Sequence, residues 1–289
     1  MQAKSQLILF TLPALAVYLV FSIYPLLSAL RYSLTDYSGM GAVNYIGLEN
    51  YRQIAMDPSN LAILWKTLFY SFVVVVLQNL LGLAVATLLF SVPAVRDLVR
   101  VVMLVPSMIS LVVAGFVWQY IYSPLGGGLN EILGMLALEG WQQVWLGDAK
   151  FALYSVATVN IWMFAGYSAT IFLAGYGNIP KEIQEAAALD GAGPWSRFFY
   201  IELPLLAPAF TVNITLSTIG SLKTFELPLI LTNGGPDGAS TTLGLAVFKA
   251  LFNEYRFGFA SAFSVVMLVL IAAIAFIQNR FFRAWENRI

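Results

Sequence analysis

Six long apolar stretches constrain this 289-residue chain more than any other feature of its sequence. A helix needs about 20 apolar residues to cross the hydrocarbon of a bilayer. The stretches that are long enough lie at about residues 7–30, 67–90, 101–122, 151–177, 205–231 and 257–277. Lipid offers no hydrogen-bond partner to an open backbone, and the stretches show no alternation at strand period. We therefore predict an all-α integral membrane protein with six transmembrane helices.

The composition agrees with membrane insertion and argues against several classes of function. The chain is 60% apolar and 10% charged, with a mean hydropathy of +0.79, whereas soluble domains carry roughly 25% charged residues. Lys+Arg and Asp+Glu balance at 15 each, so nucleic acid is not an expected partner. The lack of Cys and His removes thiol nucleophiles and most zinc sites. We expect no catalytic residue and no metal site, and we expect the lipid bilayer as the surroundings.

The distribution of Lys and Arg indicates how the helices are oriented in the bilayer. With the N-terminus in the cytoplasm, the inside carries a small excess of these cations, including Arg280 and Arg283. The loop from Ser123 to Asp148 would then lie outside, and it contains acids but no Lys or Arg. The first apolar stretch is too long for the core of a signal peptide, so we expect it to be retained. We predict that both termini are cytoplasmic.

A polar loop at residues 178–204 separates the fourth and fifth apolar stretches. Its glycines and prolines predict two short helices. Gly191 suits the left-handed end of the first helix, and Pro194 suits the opening turn of the second. The second helix is expected to stop before Pro204, because the residue before a proline disfavours helical backbone. Ala186–Ala188 would leave the tip of the loop bare, so that a partner could approach closely.

The charges of this loop favour a protein partner over the bilayer surface. Glu182, Glu185 and Asp190 supply negative charges that could meet cations of a partner. The alternative is an amphipathic helix pair that lies on the membrane, and such helices typically have a polar face rich in Lys and Arg. The loop has acids instead. We therefore interpret it as a docking site for a separate soluble protein.

The same loop resembles the signature E-A-A-x(3)-G-x(9)-I-x-L-P of the membrane subunits of ABC importers. The specified positions are filled by Glu185, Ala186, Ala187, Gly191, Ile201, Leu203 and Pro204, and the fuller form is also matched by Asp190 and Ala192. Other segments are similar to the binding-protein-dependent sugar permease branch: Ile46–Tyr51, Leu104–Pro106, Phe116–Trp118, Gly128–Asn130, Leu231–Pro236 and Gly258–Ala262. Leu231–Pro236 resembles the maltose-permease and glycerol-phosphate-permease first-subunit type, with Asn233 where that family often has Gly.

This resemblance implies the fold of a type I ABC importer permease, in the inner membrane of a bacterium or archaeon. The implied partners are a second homologous permease subunit, two cytoplasmic ABC ATPase subunits, an extracytoplasmic solute-binding protein and a carbohydrate substrate. Residues 1–289 would form one transmembrane permease domain, with residues 178–204 as its cytoplasmic coupling loop. The residues implied to dock on the ATPase are Glu182, Glu185, Ala186, Ala187, Asp190, Gly191 and Ala192.

The chain carries no nucleotide-binding signature of its own. It contains no G-x-x-x-x-G-K-[ST] motif, and the glycine run Gly126–Gly128 is followed by Leu129. ATP and Mg²⁺ would therefore be bound by the ATPase subunits. We expect this chain to bind no cofactor and to be a translocation subunit without an ATPase site.

Polar and aromatic side chains inside the predicted spans suggest a route for the solute. Those of the fifth span recur at helical spacing, and aromatic rings of the fourth span could stack on a sugar. The candidates are Asn213, Ser217, Ser221, Lys223, Thr224, Trp162 and Tyr167. A passing solute needs several weak hydrogen bonds, so we hypothesise that these residues line its route.

Each of these candidates also has a structural interpretation. Lys223 could pair with Glu226, both could extend to the outer interface, or both could stabilise a break in the helix before Pro228. The fifth-span face could instead contact the second permease, and membrane aromatics more often pack or form the interfacial belt. Gln78 and Asn79 in the second span are expected to form a helix contact.

Three other classes of membrane protein remain as alternatives. A stand-alone secondary transporter would need inverted repeats and intramembrane carboxylates, and Glu226 is the only acid within a predicted span. A membrane enzyme would need a catalytic constellation for which the chain has no His or Cys. An ABC permease for amino acids or phosphate is compatible with the shared signature. If the solute is a carbohydrate or a related compound, the sequence is compatible with sugars of any size, polyols and glycerol phosphate.

Overall fold

The computed structural model describes residues 11–286, without the side chains of Pro93 and Ala188. Its helices are α1 (Thr11–Tyr32), α2 (Glu49–Met56), α3 (Pro58–Ser91), α4 (Pro93–Met108), α5 (Leu111–Ile121), α6 (Gly128–Met135), α7 (Ala152–Gly177), α8 (Lys181–Leu189), α9 (Pro194–Leu205), α10 (Ala207–Leu222), α11 (Glu226–Thr232), α12 (Leu243–Phe252) and α13 (Phe257–Glu286). Across the described range no strand forms, apart from an isolated bridge between Thr35 and Tyr45. The all-α prediction is confirmed.

Four helices are by themselves long and apolar enough to cross a membrane, namely α1, α3, α7 and α13. They contain the first, second, fourth and sixth predicted spans, although residues 7–10 of the first lie outside the described part of the chain. The remaining apolar helices form the bent pairs α4–α5 and α9–α10. If each bent pair is counted as one span, residues 11–286 hold up to six.

The third predicted span, at residues 101–122, is not one continuous helix. The axes of α4 and α5 meet at 95°, and the backbone is extended at Ile109, with ψ of 140°. Pro106 precedes this break within the last turn of α4. A proline lacks an N–H and crowds the preceding turn, which weakens a helix at that point. The hydropathy of the stretch gave no sign of the bend, whereas Pro106 is a signal in the sequence that could have indicated it.

The fifth predicted span, at residues 205–231, is also broken, between α10 and α11. The break frees backbone carbonyl groups that must find other partners. Thr242 Oγ1 donates to the carbonyl oxygen of Thr224 at 2.7 Å. Gly244 packs so closely that an added Cβ would lie 2.7 Å from the same oxygen. The start of α12 therefore stabilises this break, and a helix break before Pro228 is one of the alternatives that the sequence offered for Lys223 and Glu226.

The chain packs as two compact units. The first comprises the described residues up to Ala62 together with Ala246–Val269, and the second comprises Ile63–Leu245 together with the described residues from Leu270 onward. Helices α1 and α2 belong to the first unit and α4–α11 belong to the second. Helices α3, α12 and α13 contribute residues to both.

In the first unit, the segment after α1 is held by hydrogen bonds from a side-chain amide and by one close backbone contact. Asn50 on α2 is buried, and its Nδ2 donates to the carbonyl oxygens of Ser33 and Thr35, both at 2.9 Å. Gly258 in the first turn of α13 lies so near that an added Cβ would be 2.0 Å from the Thr35 oxygen. Only glycine fits this approach of α13 to the segment.

In the second unit, α7 is the central helix. Its most apolar stretch is 67% buried, against 0% for that of α1. Two apolar clusters lie along it, one around Val156 and the other around Phe172. Gly166 allows α4 to touch α7, because an added Cβ there would lie 1.8 Å from the carbonyl oxygen of Met103. Small residues at such crossings are typical of helix packing in membranes.

Candidate functional site

The polar loop at residues 178–204, predicted to be a coupling loop, contains α8 and most of α9, and its first helix ends at a glycine as predicted. Gly191 has φ of +74°, in the left-handed region. The N–H of Ala192 donates to the carbonyl oxygen of Ala187 at 3.0 Å. This bond spans six residues and is the outer bond of a Schellman motif, in which the residue before the last has left-handed backbone. The local sequence therefore determines where α8 stops.

One side of α8 is exposed and forms a continuous surface, which we name the docking face. Its members lie at helical positions i, i+3, i+4 and i+7 and are Glu182, Glu185, Ala186 and Leu189. The two carboxylates take part in none of the ion pairs found within residues 11–286. Leu189 is 89% exposed. The docking face thus combines free negative charge with one uncovered apolar residue.

The other predicted docking residues are not all on this surface. Ala187 is buried, with 5% of its surface exposed. It lies about 100° around the helix from Ala186, on the side that faces the rest of the second unit. Asp190 and Gly191 are exposed, and Ala192 is half-buried. The expectation of a bare alanine tip is therefore corrected for Ala187, whereas Leu189 was missed because sequence alone does not show which side of α8 is covered.

Helix α9 adds an exposed aromatic surface that the sequence did not single out. Pro194 occupies its first turn, as predicted. Trp195 is 76% exposed and Tyr200 is 81% exposed. The Trp195 ring stacks on Phe199, with ring centroids 6.1 Å apart. Aromatic residues beside a membrane span are as often packed as exposed, so their sequence carried no signal of this exposure.

The prediction that α9 stops before Pro204 is wrong, because the helix continues to Leu205. It does so through a π-helical segment at Phe198–Glu202. Here the N–H of Leu203 donates to the carbonyl oxygen of Phe198, five residues earlier, and not to the one four residues earlier. This wider turn carries the backbone into Pro204 in helical conformation.

The predicted polar face of the fifth span is buried inside the chain. Asn213 on α10 is 1% exposed, and its Nδ2 donates to the carbonyl oxygen of Ser168 on α7 at 3.1 Å. Ser217 Oγ accepts from Nδ2 of Asn79 on α3 at 3.0 Å. Ser221 Oγ lies 2.6 Å from Ser71 Oγ. These three side chains are therefore interhelical contacts, and their place on a solute route stays a prediction.

The expected helix contact at Gln78 and Asn79 is confirmed. Gln78 Nε2 donates to Ser168 Oγ at 2.8 Å, and both side chains are buried. Together the bonded side chains of α3, α7 and α10 form what we name the interhelical cluster: Gln78, Asn79, Ser168, Asn213 and Ser217. Polar groups in a membrane interior find partners on neighbouring helices, because lipid supplies none.

Lys223 and Thr224 lie at the break between α10 and α11. Lys223 is exposed at the end of α10, whereas Thr224 is buried. Lys223 and Glu226 do not form an ion pair among the described residues, because the break replaces the i, i+3 geometry that would join them. Glu226 Oε2 instead accepts from the backbone N–H of Phe225 at 3.4 Å, at the start of α11.

Trp162 and Tyr167 are both partly exposed on α7, but they lie on different sides of it. Trp162 is 39% exposed and Tyr167 is 43% exposed. Five residues along an α-helix correspond to a rotation of about 140°. The Trp162 ring packs edge-on against Trp118, with centroids 5.4 Å apart. The structure thus leaves Trp162, Tyr167 and Lys223 accessible among the seven route candidates, and it does not bring them to one surface of a helix.

Known proteins are similar to this chain over most of its length. The family described as binding-protein-dependent transport system inner membrane component matches residues 78–288. The probable ABC transporter permease protein YurN of Bacillus subtilis (strain 168) is 34% identical over 282 residues, which cover 96% of each chain. The trehalose/maltose transport system permease protein MalF of Thermococcus litoralis is 32% identical over 270 residues, which cover 93% of this chain and 90% of that protein.

The fold has a close counterpart among solved structures. A chain in the crystal structure of a bacterial ABC transporter involved in the import of the acidic polysaccharide alginate superposes with a TM-score of 0.86. The superposition covers 98% of this chain and 96% of that one, at 20% sequence identity. The two chains therefore share their fold.

Proposed function

The chain belongs to the family of binding-protein-dependent transport system inner membrane components, and on this premise we propose that it is the membrane-spanning permease subunit of an ATP-driven importer for a carbohydrate. The observation that carries the proposal is the docking face of α8, with its two free carboxylates and its glycine-terminated end. The docking face overlaps the part of the loop that resembles the signature of ABC importer membrane subunits, which begins at Glu185. A carbohydrate as the solute is supported by the relative that is named for trehalose and maltose transport.

We propose that the functions of the importer are divided among several subunits. A second permease completes the membrane part, and an extracytoplasmic binding protein delivers the solute. Two ATPase subunits bind ATP and Mg²⁺ and carry out the hydrolysis, whereas this chain translocates. The absence of a phosphate-binding motif from the sequence supports this assignment.

The coupling loop supports a topology of six spans with both termini in the cytoplasm. A loop that docks on an ATPase must lie where ATP is available, and α8 and α9 stand between the fourth and fifth predicted spans. Movement of the ATPase subunits would then be passed through α8 to the spans on either side. In this mechanism the permease pair alternates between openings to the two sides of the membrane.

For the solute route, we propose the exposed candidates Trp162, Tyr167 and Lys223. Their partial exposure within or beside the spans supports this role. Asn213, Ser217 and Ser221 are left out because their side chains are buried and bonded to α3 and α7. Weak stacking and single hydrogen bonds are suited to a solute that must also leave.

A crosslinking experiment tests the docking face. The chain has no cysteine, so Ala186→Cys would place a single thiol on the exposed side of α8 and Ala187→Cys would place one on the buried side. In the assembled importer we expect Ala186→Cys to crosslink to a cysteine in the surface groove of the ATPase, and we expect Ala187→Cys to react far less. If no exposed position between Glu182 and Leu189 crosslinks, α8 does not dock on the ATPase.

A separate experiment tests the solute. The binding protein that works with this permease would be screened by thermal shift against a panel of sugars, polyols, glycerol phosphate, amino acids and inorganic phosphate. The ligand found would then be followed into proteoliposomes that contain the complete importer and ATP. We expect a carbohydrate to be both bound and taken up. Binding and uptake of an amino acid or of inorganic phosphate would refute the carbohydrate assignment and leave the permease assignment standing.

A further inference from the structure

A cavity of about 260 Å³, which we name the first-unit cavity, lies within the first unit and apart from the docking face and the route candidates. Its walls come from the segment after α1, from α2 and from the start of α13. The charged and buried residues that line it include Asp36, Glu49, Asn50, Arg256 and Phe259. Pockets for drug-sized ligands measure roughly 300–1,000 Å³. This cavity therefore suits a small polar group.

The three walls of the first-unit cavity are joined by hydrogen bonds. The buried amide of Asn50 on α2 donates to two backbone carbonyl groups of the segment after α1. The N–H of Gly258 on α13 donates to the carbonyl oxygen of Tyr37 at 2.8 Å. A guanidinium N–H of Arg256 donates to Oε1 of Gln53 on α2. Each wall is thus bonded to another, which holds the shape of the cavity.

Charges of opposite sign line the cavity from different walls. The Asp36 carboxylate accepts hydrogen bonds from the side chain and the backbone of Asn44, at 3.0 and 2.9 Å. These bonds hold the pKa of Asp36 below its usual value, so this carboxyl group is charged at neutral pH. Glu49 adds a second exposed carboxylate from α2. On α13, Cζ of Arg256 lies 4.0 Å from the ring centroid of the buried Phe259.

The partners that these charges already have leave them available to a ligand. Gln53, which is bonded to Arg256, carries no charge. The ion pair of Arg256 with Glu254 has an N–O distance of 3.7 Å and lies between exposed side chains. Glu49 pairs with Arg52 at the same distance, and both side chains are again exposed. Exposed ion pairs of this kind contribute little, so a ligand can replace them.

The first-unit cavity lies at the ends of two helices that are long and apolar enough to cross a membrane. Helix α1 ends at Tyr32, shortly before Asp36, and α13 begins at Phe257, next to Arg256. The ring of Tyr32 stacks on that of Tyr37, with centroids 4.9 Å apart. Tyrosine is enriched where membrane spans reach the lipid headgroups. The cavity is therefore at the level of the headgroups.

We propose that the first-unit cavity binds the headgroup of phosphatidylethanolamine, with the ammonium group at Asp36 and the phosphate at Arg256. This headgroup carries one charge of each sign, separated by two carbon atoms, and the cavity offers the opposite charge to each. Its ammonium group donates hydrogen bonds to a carboxylate, and a guanidinium group donates to a phosphate. The inference goes beyond the proposed function, because it needs only that α1 and α13 lie in a bilayer.

The charges of the cavity disfavour other occupants. The headgroup of phosphatidylglycerol has a phosphate but no cation to offset the carboxylates of Asp36 and Glu49. A Lys or Arg side chain of a solute-binding protein would meet the guanidinium group of Arg256, and like charges in contact are unfavourable. Phosphatidylcholine has both charges, but its quaternary ammonium group has no N–H to donate. Phosphatidylethanolamine alone among these four satisfies both walls.

Lipid binding to the assembled importer in detergent tests the site. Native mass spectrometry would give the apparent Kd of the first bound lipid for phosphatidylethanolamine, phosphatidylcholine and phosphatidylglycerol, all with dioleoyl chains. The variants are Asp36→Asn and Arg256→Gln. The controls are Asp57→Asn and Arg52→Gln, which make the same changes at exposed positions of the first unit that do not line the cavity.

We expect phosphatidylethanolamine to bind about threefold to tenfold more tightly than the other two lipids, as two partly exposed charge contacts would allow. Asp36→Asn should remove its preference over phosphatidylglycerol. Arg256→Gln should weaken the binding of phosphatidylethanolamine and of phosphatidylcholine, because both carry the phosphate. The two controls should keep the preference of the unmodified importer.

Two results would overturn the proposal, namely equal binding of the three lipids by the unmodified importer or a preference that Asp36→Asn retains. If Arg256→Gln does not fold, the lipid series with Asp36→Asn decides, because that side chain is exposed. If Asp36→Asn weakens association of the solute-binding protein and leaves the lipid preference unchanged, the cavity receives a cation of that protein instead. The readout is lipid binding, so a failure here leaves the proposed function standing.

Discussion

The docking face of α8 and the interhelical cluster of α3, α7 and α10 are both built from short or polar side chains, but their surroundings differ. The carboxylates of Glu182 and Glu185 are exposed and have no ion-pair partner within the described chain. The amides of Gln78 and Asn213 are buried and bonded to α7. Water can hydrogen-bond to the exposed carboxylates, whereas the buried amides must form their hydrogen bonds with other groups of the protein. Of these two regions, the docking face is therefore the one whose polar groups are available to a partner.

The largest expected effect on stability is at the crossing of α3 and α7. An added Cβ at Gly82 would lie 2.6 Å from Cβ of Ser168, a member of the interhelical cluster. Gly82→Ala should therefore lower the free energy of unfolding by about 1–3 kcal/mol through overpacking. The matched control is Gly220→Ala on α10, where no atom lies within 4 Å of the added carbon. Unfolding in nanodiscs measures both, and equal stability of the two variants would contradict the close crossing.

A second test concerns the end of α8 and should separate the effect of backbone strain from the effect of steric contact with neighbouring atoms. Gly191→Ala forces a side chain into left-handed backbone, although no atom lies within 4 Å of the added carbon. The expected penalty is about 1–2 kcal/mol. Gly193→Ala is the control, because that glycine has equally open space and an ordinary φ of −65°. Hydrogen exchange of α8 should accelerate in the first variant only, and ATPase affinity should fall with it.

A third test asks whether the interhelical cluster is purely structural. Asn79→Ala removes one bond to Ser217 and one to the carbonyl oxygen of Val75. Interhelical hydrogen bonds in membranes contribute about 0.6 kcal/mol on average, and the Oδ1 atom of Asn79 already lacks a partner in the described structure. We expect a small loss of stability and normal uptake per folded importer. Loss of uptake at unchanged stability would instead indicate that the interhelical cluster takes part in the solute route.

The smallest effect on stability is expected on the docking face. Glu185→Gln should change the free energy of unfolding by less than about 0.5 kcal/mol, because the carboxylate is exposed and unpaired. Its effect should appear in binding, as a roughly twofold to fivefold weaker and less salt-sensitive association with the ATPase. Glu49→Gln on α2 is a control for loss of an exposed carboxylate elsewhere. Equal ATPase affinity of both variants would argue against charge complementarity at α8.

Features controlled by local sequence were predicted well. Pro194 was predicted in the opening turn of the second loop helix, and it occupies the first turn of α9. The left-handed end of α8 at Gly191 was also predicted, because few other residues adopt that backbone. The break near Ile109 was not predicted, because hydropathy there is the same whether the helix continues or bends. The break near Lys223 was one of the alternatives for Lys223 and Glu226, which are the charged residues of the fifth stretch.

Run length, glycine and proline act locally, so the membrane class, the helical fold and the position of the polar loop at residues 178–204 could be predicted from the sequence. The tertiary structure alone decided which side of each helix is covered. Asn79 and Ser217 are 138 residues apart and meet only when α3 packs on α10. Ala186 and Ala187 are adjacent and alike, yet only one is exposed. Exposure depends on partners brought together by folding, and no local pattern encodes it.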